Sequence, residues 1–200
     1  MVTQKESVVT TERFAQGLTY SDWFAQITRN EKRFQENYDE TDVSPDDARA
    51  LRELVALPNG PALCLALGED WCPDVFRGLP VMARVAEASG MELRVFSRDQ
   101  HKDIMAEFLK GGEHESIPVF VFYTKAHQYI GHWIERPTLA EEQMPELRKI
   151  NAPLQNADLS EEERAKHIQA YRDFQHGPIW SSWRQATIKE IRALLEERCH

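Results

Sequence analysis

Cysteine is scarce in this chain: Cys64, Cys72 and Cys199 are the three among 200 residues. So few, so widely spaced, exclude the disulfide framework of a small secreted domain. Positive charge is also short. Lys and Arg number 24 against 33 Asp and Glu, for a net charge of −9. No local cluster of basic residues offsets that balance, so a phosphate-backbone binder is excluded and nucleic acid is not an expected partner. No apolar run approaches the length that spans a bilayer, and residues 1–16 are polar, without the apolar core of a signal peptide. These absences lead to the expectation of a soluble protein of the reducing cytoplasm with no membrane partner. Thiols there are more often free, catalytic or metal-bound than structural.

What is present supports a packed core. Hydrophobic residues make up 42% of the chain, with five Trp, which a disordered segment would not carry. Three zones follow from the patterning. Residues 1–56 form a helical extension, 57–136 an α/β core and 137–200 a second helical extension, the three expected to make one compact unit.

In the first zone, Ser21 caps an expected helix through Trp23, Phe24 and Ile27 that continues on period towards Phe34 and Tyr38. Ser44-Pro45-Asp46-Asp47 starts another, with proline in the first turn and carboxylates facing the helix dipole. In the core zone, Ala62–Leu67 is an unbroken apolar run suited to a strand covered on both faces. Pro73 opens a helix that stops at Ser89-Gly90, and residues 91–96 read as a second strand. A helix around Ile104 to Leu109 stops at Gly111-Gly112. Residues 119–123 and 128–134 then make a β-hairpin. The order β-α-β-α-β-β defines an α/β fold with a mixed sheet. In the last zone, Thr138 and Ser160 cap helices, the latter through a capping box with Glu163. His176-Gly177-Pro178 breaks the chain before a final helix bearing Trp180, Trp183 and Ile191. The aromatic stripes of the flanks read as packing surfaces that either cover the sheet or make a homodimer contact.

Chemistry concentrates at Glu69-Asp70-Trp71-Cys72-Pro73-Asp74-Val75. Cys72 caps a helix whose first residue is Pro73, where backbone N–H groups stabilise a thiolate. Asp70 and Asp74 oppose that effect by like charge, so at most a modest lowering of the thiol pKa is expected. Glu69 and Asp70 otherwise read as solvated loop residues. Cys64, inside the apolar run, behaves as a small buried hydrophobe. His101, His114, His127 and His132 show no paired ligand spacing, and neither do the cysteines, so no metal is expected. His114, four residues before Pro118, is either solvated or close enough to polarise the thiol.

The core zone resembles the thioredoxin family. Trp71-Cys72 follows the first core strand, Pro80 lies eight residues after the cysteine, and Ile117-Pro118-Val119 precedes the hairpin and its Gly131. It is more closely similar to a bacterial branch of thioredoxin-like proteins with helical flanks and a Glu-Asp-Trp-Cys-Gly/Pro-Asp motif. The resemblance implies a thioredoxin-like fold, a cis-Pro118 facing the thiol, and a substrate surface made by Trp71, Pro73, Ile117 and Pro118 around Cys72. Two departures narrow it. Val75 stands where two-cysteine members carry the resolving thiol, and Ala66 where they carry a buried Asp. Cys-Pro-Asp-Val also differs from the Cys-Gly-Phe-Ser type that holds an iron–sulfur cluster, so no cofactor is expected. Two functions remain open. Cys72 is a monothiol nucleophile exchanging disulfides with a protein or a low-molecular-weight thiol, resolved by an external thiol or by Cys199. Alternatively, Cys72 is only a small cap residue in a non-catalytic module that holds a protein partner at the Pro118 loop.

Overall fold

The computed structural model describes residues 7–199. Four helices come first: α1 (Thr11–Phe14), α2 (Tyr20–Phe24), α3 (Glu31–Asp39) and α4 (Pro45–Val55). The core then runs β1 (Leu63–Gly68), α5 (Pro73–Ser89), β2 (Glu92–Ser97), α6 (Lys102–Met105), β3 (Val119–Tyr123) and β4 (Tyr129–Ile134). Three helices close the chain: α7 (Thr138–Asn151), α8 (Glu161–Gln175) and α9 (Pro178–Arg198). The strands form one four-stranded sheet in the order β2-β1-β3-β4. Only β1 and β2 are parallel; β1–β3 and β3–β4 are antiparallel.

Register gives the sheet two chemically different ends. Leu67 faces Phe96 and Val119 at one end, and Val119 faces Ile134. Leu63 faces Tyr123 at the other, and Tyr123 faces Tyr129. The loop carrying Cys72 leaves β1 at the first of these ends. Cys64, Leu65, Ala66 and Leu67 are each 0% exposed, as a central strand covered on both faces requires. α5 begins with Pro73 at its first position and ends at Gly90 in the left-handed region (φ 83°), which a glycine adopts without a Cβ penalty.

Several expectations need correction. The helix expected to run from Ser21 towards Tyr38 is two helices. Thr19, not Ser21, caps α2, its hydroxyl accepting from the Asp22 N–H at 3.1 Å. Asn30 then opens α3 from the left-handed region (φ 57°). The break has a tertiary cause: the Asp70 carboxylate takes the N–H groups of Thr28 and Arg29 at 2.9 and 3.0 Å. Donors held this way cannot continue a helical ladder. α6 is shorter than expected, stopping at Met105, and Lys110 further on turns back to pair with His114. Thr138 is the first residue of α7, not its cap, and its N–H donates to Glu190 of α9 at 2.7 Å. The Ser160–Glu163 capping box is present.

The aromatic stripes are buried within the chain. Trp180 and Trp183 are 2% and 1% exposed. Trp180 Nε1 and the Arg184 guanidinium both donate to Asn37 Oδ1, at 3.0 and 3.2 Å, so α9 is joined directly to α3. Trp23, Phe34, Phe76 and Trp180 continue in successive ring contacts from the first helices to the last. Of the flanking helices, α3, α4 and α9 pack on α5, the helix that Cys72 begins.

Candidate functional site

Cys72 occupies the N-cap of α5 in extended backbone (φ −86°, ψ 126°), and its carbonyl accepts from Val75 and Phe76. The side chain is half-buried. Its Sγ lies 3.8 Å from the Ile117 carbonyl oxygen, to which the thiol donates. The Ile117–Pro118 peptide bond is cis. Pro118 seats against Gly78 of α5: a Cβ at Gly78 would stand 3.1 Å from Pro118 Cγ. The absence of a side chain at Gly78 thus lets the proline loop settle beside the start of α5. The structure brings Cys72, Ile117 and Pro118 together. Pro73 is exposed at the first helical position, and Trp71, 42% exposed, lies under the Arg98 guanidinium at 5.2 Å from its ring centre.

The electrostatics reverse one expectation. The Cys72 thiol is pushed up from its ordinary value, not lowered. Burial is the largest cause; the Val75 N–H pulls the other way, Asp74 adds to the rise, and Arg136 opposes it. Two N–H groups at a helix start do not offset the loss of solvent around sulfur. At neutral pH the thiolate fraction is therefore smaller than that of a free cysteine. Alkylation of Cys72 by iodoacetamide should be slower than that of free cysteine at pH 7. It should then rise about tenfold per pH unit through pH 8.5 without levelling. A plateau below pH 7 would contradict the geometry.

Glu69 and Asp70 are structural braces, not the solvated loop the sequence suggests. Asp70 accepts from Thr28 and Arg29 as described, and its carbonyl accepts from Asn30 Nδ2 at 2.8 Å. Glu69 accepts from Ser97 Oγ at 2.6 Å and from the Asp99 N–H at 2.8 Å. Asp74 accepts from Arg77 at 3.1 Å and from Arg136 at 2.8 Å. Arg136 also pairs with Glu135, which with Glu141 holds Lys110.

Two residues near the site went unrecognised in the sequence. Arg77 is fully buried and donates to Asp74, to Thr187 Oγ1 of α9 at 3.3 Å and to the Glu135 carbonyl at 3.3 Å. Trp180 and Trp183 each present a ring 5.9 Å from its guanidinium. The Asp74–Arg77 spacing (i, i+3) on a helix otherwise apolar around that position was the available signal. Tyr171 of α8 is the second. Its phenol is pushed up chiefly by burial, with the charges of Asp74 and Cys72 adding to the rise and Arg33 opposing it. Helix α8 thus places a phenol within electrostatic reach of the thiol, which no local motif announces.

The other cysteines are remote. Cys64 is 0% exposed in β1, and burial pushes its thiol far up. Cys199 is not on a free tail: it is 6% exposed and caps α9, its N–H donating to Leu195 at 2.9 Å. From Thr187, which touches Arg77, α9 runs along β4, where Leu194 lies over Gly131. Twelve residues of helix carry Cys199 about 18 Å beyond Thr187, towards the opposite end of the sheet. His114 is exposed, and its backbone pairs with Lys110. Among the described residues, no group of three or more His, Cys, Asp or Glu could hold a metal ion, and no helix is long and apolar enough to cross a membrane.

A mixed sheet, a cysteine opening the helix after its first strand, and a cis-proline against that cysteine define the thioredoxin class of fold. A family model described as Thioredoxin matches residues 17–152, more than half of the chain, and the chain belongs to the thioredoxin-like family. Among solved structures, the chain is similar to a protein of unknown function from Pseudomonas aeruginosa. That likeness has 16% identity and a TM-score of 0.65 over 94% of this chain and 98% of the other. It is also similar to an HIV epitope scaffold, at 19% identity and a TM-score of 0.61 over 96% of this chain and 99% of the scaffold. At these identities the likeness concerns the fold. No curated protein matches the sequence.

Proposed function

We propose that this thioredoxin-fold protein exchanges disulfides as a monothiol through Cys72, with exposed Trp71 and Pro73 and the backbone of Ile117 and Pro118, whose side chains are buried, receiving the substrate. The observation that carries this reading is the approach of Cys72 Sγ to the Ile117 carbonyl, 3.8 Å away. A disulfide lying along that backbone would bring one sulfur to the thiol. In the reaction, Cys72 loses its proton to solvent and attacks one sulfur of the substrate disulfide. The substrate S–S bond breaks, a Cys72–substrate disulfide forms, and the other half leaves as a thiolate that takes up a proton. A low-molecular-weight thiol then attacks the mixed disulfide and restores Cys72, since Cys64 and Cys199 are buried. A reducing cytoplasm would supply that thiol. The raised pKa makes attack slow at pH 7, suiting a substrate held at the loop for longer than a diffusive encounter.

Incubation with oxidised glutathione tests this directly. Wild type should gain one glutathionyl group by intact-mass measurement, reversed by reductant, and Cys72→Ser should gain none. Equal labelling of the two, or none in either, would end the monothiol reading.

The second reading, a non-catalytic module holding a protein partner at the Pro118 loop, draws support from the raised Cys72 pKa and from Val75, which is 0% exposed. In a pull-down it separates cleanly. A partner kept by Cys72→Ser under reductant and lost on substitution at Pro118 belongs to a binding module, whereas a covalent client lost only in Cys72→Ser belongs to the monothiol.

A further inference from the structure

At the end of the sheet remote from Cys72, a cleft of about 500 Å³ opens between the β3–β4 hairpin, the chain after α6 and the segment before α1. Tyr123 closes β3, four residues beyond Val119, which places it about 14 Å further along the sheet than the Cys72 end. The cleft is therefore separate from the thiol site. Its walls are aromatic: Phe108, Tyr123 and Tyr129, with the His127 imidazole stacked on Tyr123 at 4.6 Å.

Two polar atoms in these walls lack partners among the described residues, Tyr123 Oη and His127 Nδ1. Tyr123 is 2% exposed, so its hydroxyl is withdrawn from bulk water, a costly arrangement unless something fills the space beside it. The chemistry of His127 can be assigned. Its Nε2 lies 2.9 Å from the Val9 carbonyl oxygen. A carbonyl only accepts, so Nε2 carries the proton, and in the neutral ring Nδ1 is a bare acceptor. The Glu107 carboxylate, which also lines the cleft, accepts from Ser7 Oγ at 2.6 Å and from the Val8 N–H at 2.7 Å. Tyr129 and His132 bond to one another at 2.5 Å, and burial lowers the His132 pKa, favouring its neutral form. Among the described residues, neither lysine nor arginine lines the cleft.

We propose that this cleft binds a small organic amine in its protonated form, its ammonium group directed to Glu107 and His127 Nδ1 and its body against the aromatic walls. An ammonium group supplies the donor that Nδ1 lacks and a charge opposite to that of the Glu107 carboxylate, and it is attracted by the faces of the tyrosine and phenylalanine rings. An anion of the same size would meet the Glu107 charge with no lysine or arginine among the described lining residues to offset it.

Phenethylammonium is a suitable probe, with phenylacetate and 2-phenylethanol as anionic and neutral comparators of like shape. Titration of the full chain, followed by amide NMR shifts, should move residues of the cleft and leave those around Cys72 unmoved. Phenethylammonium should bind at least about tenfold tighter than phenylacetate. Tyr123→Phe removes only the hydroxyl, which is buried without a partner among the described residues, so the thermal midpoint of the free chain should hold or rise while binding of the probe weakens about threefold or more. Glu107→Gln should weaken it by about tenfold or more. Phenylacetate binding equally well, both variants keeping wild-type affinity, or an absence of shifts at the cleft would each overturn the proposal. Cys72→Ser should bind the probe like wild type, which keeps this test independent of the thiol chemistry.

Discussion

Arg77→Ala should destabilise the protein by about 3–5 kcal/mol, the usual consequence of removing one partner from a buried ion pair. Urea unfolding would measure the loss, and the thermal midpoint should fall by about 6–20 °C for a chain of this length. The magnitude follows from where the guanidinium sits. It is fully buried, bonded to Asp74, to Thr187 and to the Glu135 carbonyl, and it lies between two tryptophans. Truncation leaves a cavity beside Trp180 and Trp183 and leaves the Thr187 hydroxyl and Glu135 carbonyl without this donor. Arg77→Met loses the charge and the hydrogen bonds but keeps most of the volume, so it should cost less than the alanine variant. A loss below about 1 kcal/mol in Arg77→Ala would show that the surrounding groups re-pair without it.

Val75→Cys should convert the single thiol into an internally resolving pair. Val75 sits at the third position of α5 and is fully buried. It packs on Gly68, where a Cβ would come within 2.8 Å of its Cγ1. Cysteine is the smaller side chain, so the exchange should cost about 1 kcal/mol of stability. The new thiol would stand three positions after Cys72 in the same helical turn. After treatment with oxidised glutathione, wild type should carry a persistent mixed disulfide. The variant should release glutathione and close a bridge between Cys72 and the introduced thiol, shortening the adduct's lifetime on the order of a hundredfold or more through intramolecular attack. Mass measurement and thiol counting would distinguish the two states. A variant whose adduct persists like that of wild type would mean that burial against Gly68 keeps the second thiol from reaching the first.

Much of the core was legible because its elements are locally determined. The apolar run of β1, the capped start of α4, the proline-to-glycine limits of α5 and the hairpin strands each carry their own signals, and the structure bears them out within a residue or so. The family resemblance carried by Trp71-Cys72, Pro80 and Ile117-Pro118 also set the proline loop against the thiol, and the fold brings Cys72 to Ile117. What failed to read was tertiary. The division of α2 from α3 depends on a carboxylate about forty residues away in sequence, the cap of α7 on Glu190 of α9, and the pKa of Cys72 on burial. In each case the decisive partner is remote in sequence, and a periodicity cannot display it.

The brace at Asp70 changes what counts as the smallest unit bearing this site. The residue before Trp71 holds the junction of α2 and α3, and Glu69 holds the turn after β2. The strand-to-helix loop that presents Cys72 is thus held on one side by β2 and the turn after it, through Glu69, and on the other by chain that the core sheet does not contain, through Asp70. A fragment trimmed to the sheet and its crossover helices would retain the thiol and the proline. It would lose the backbone donors that orient the loop between them, so the fold and the site have different minimal lengths.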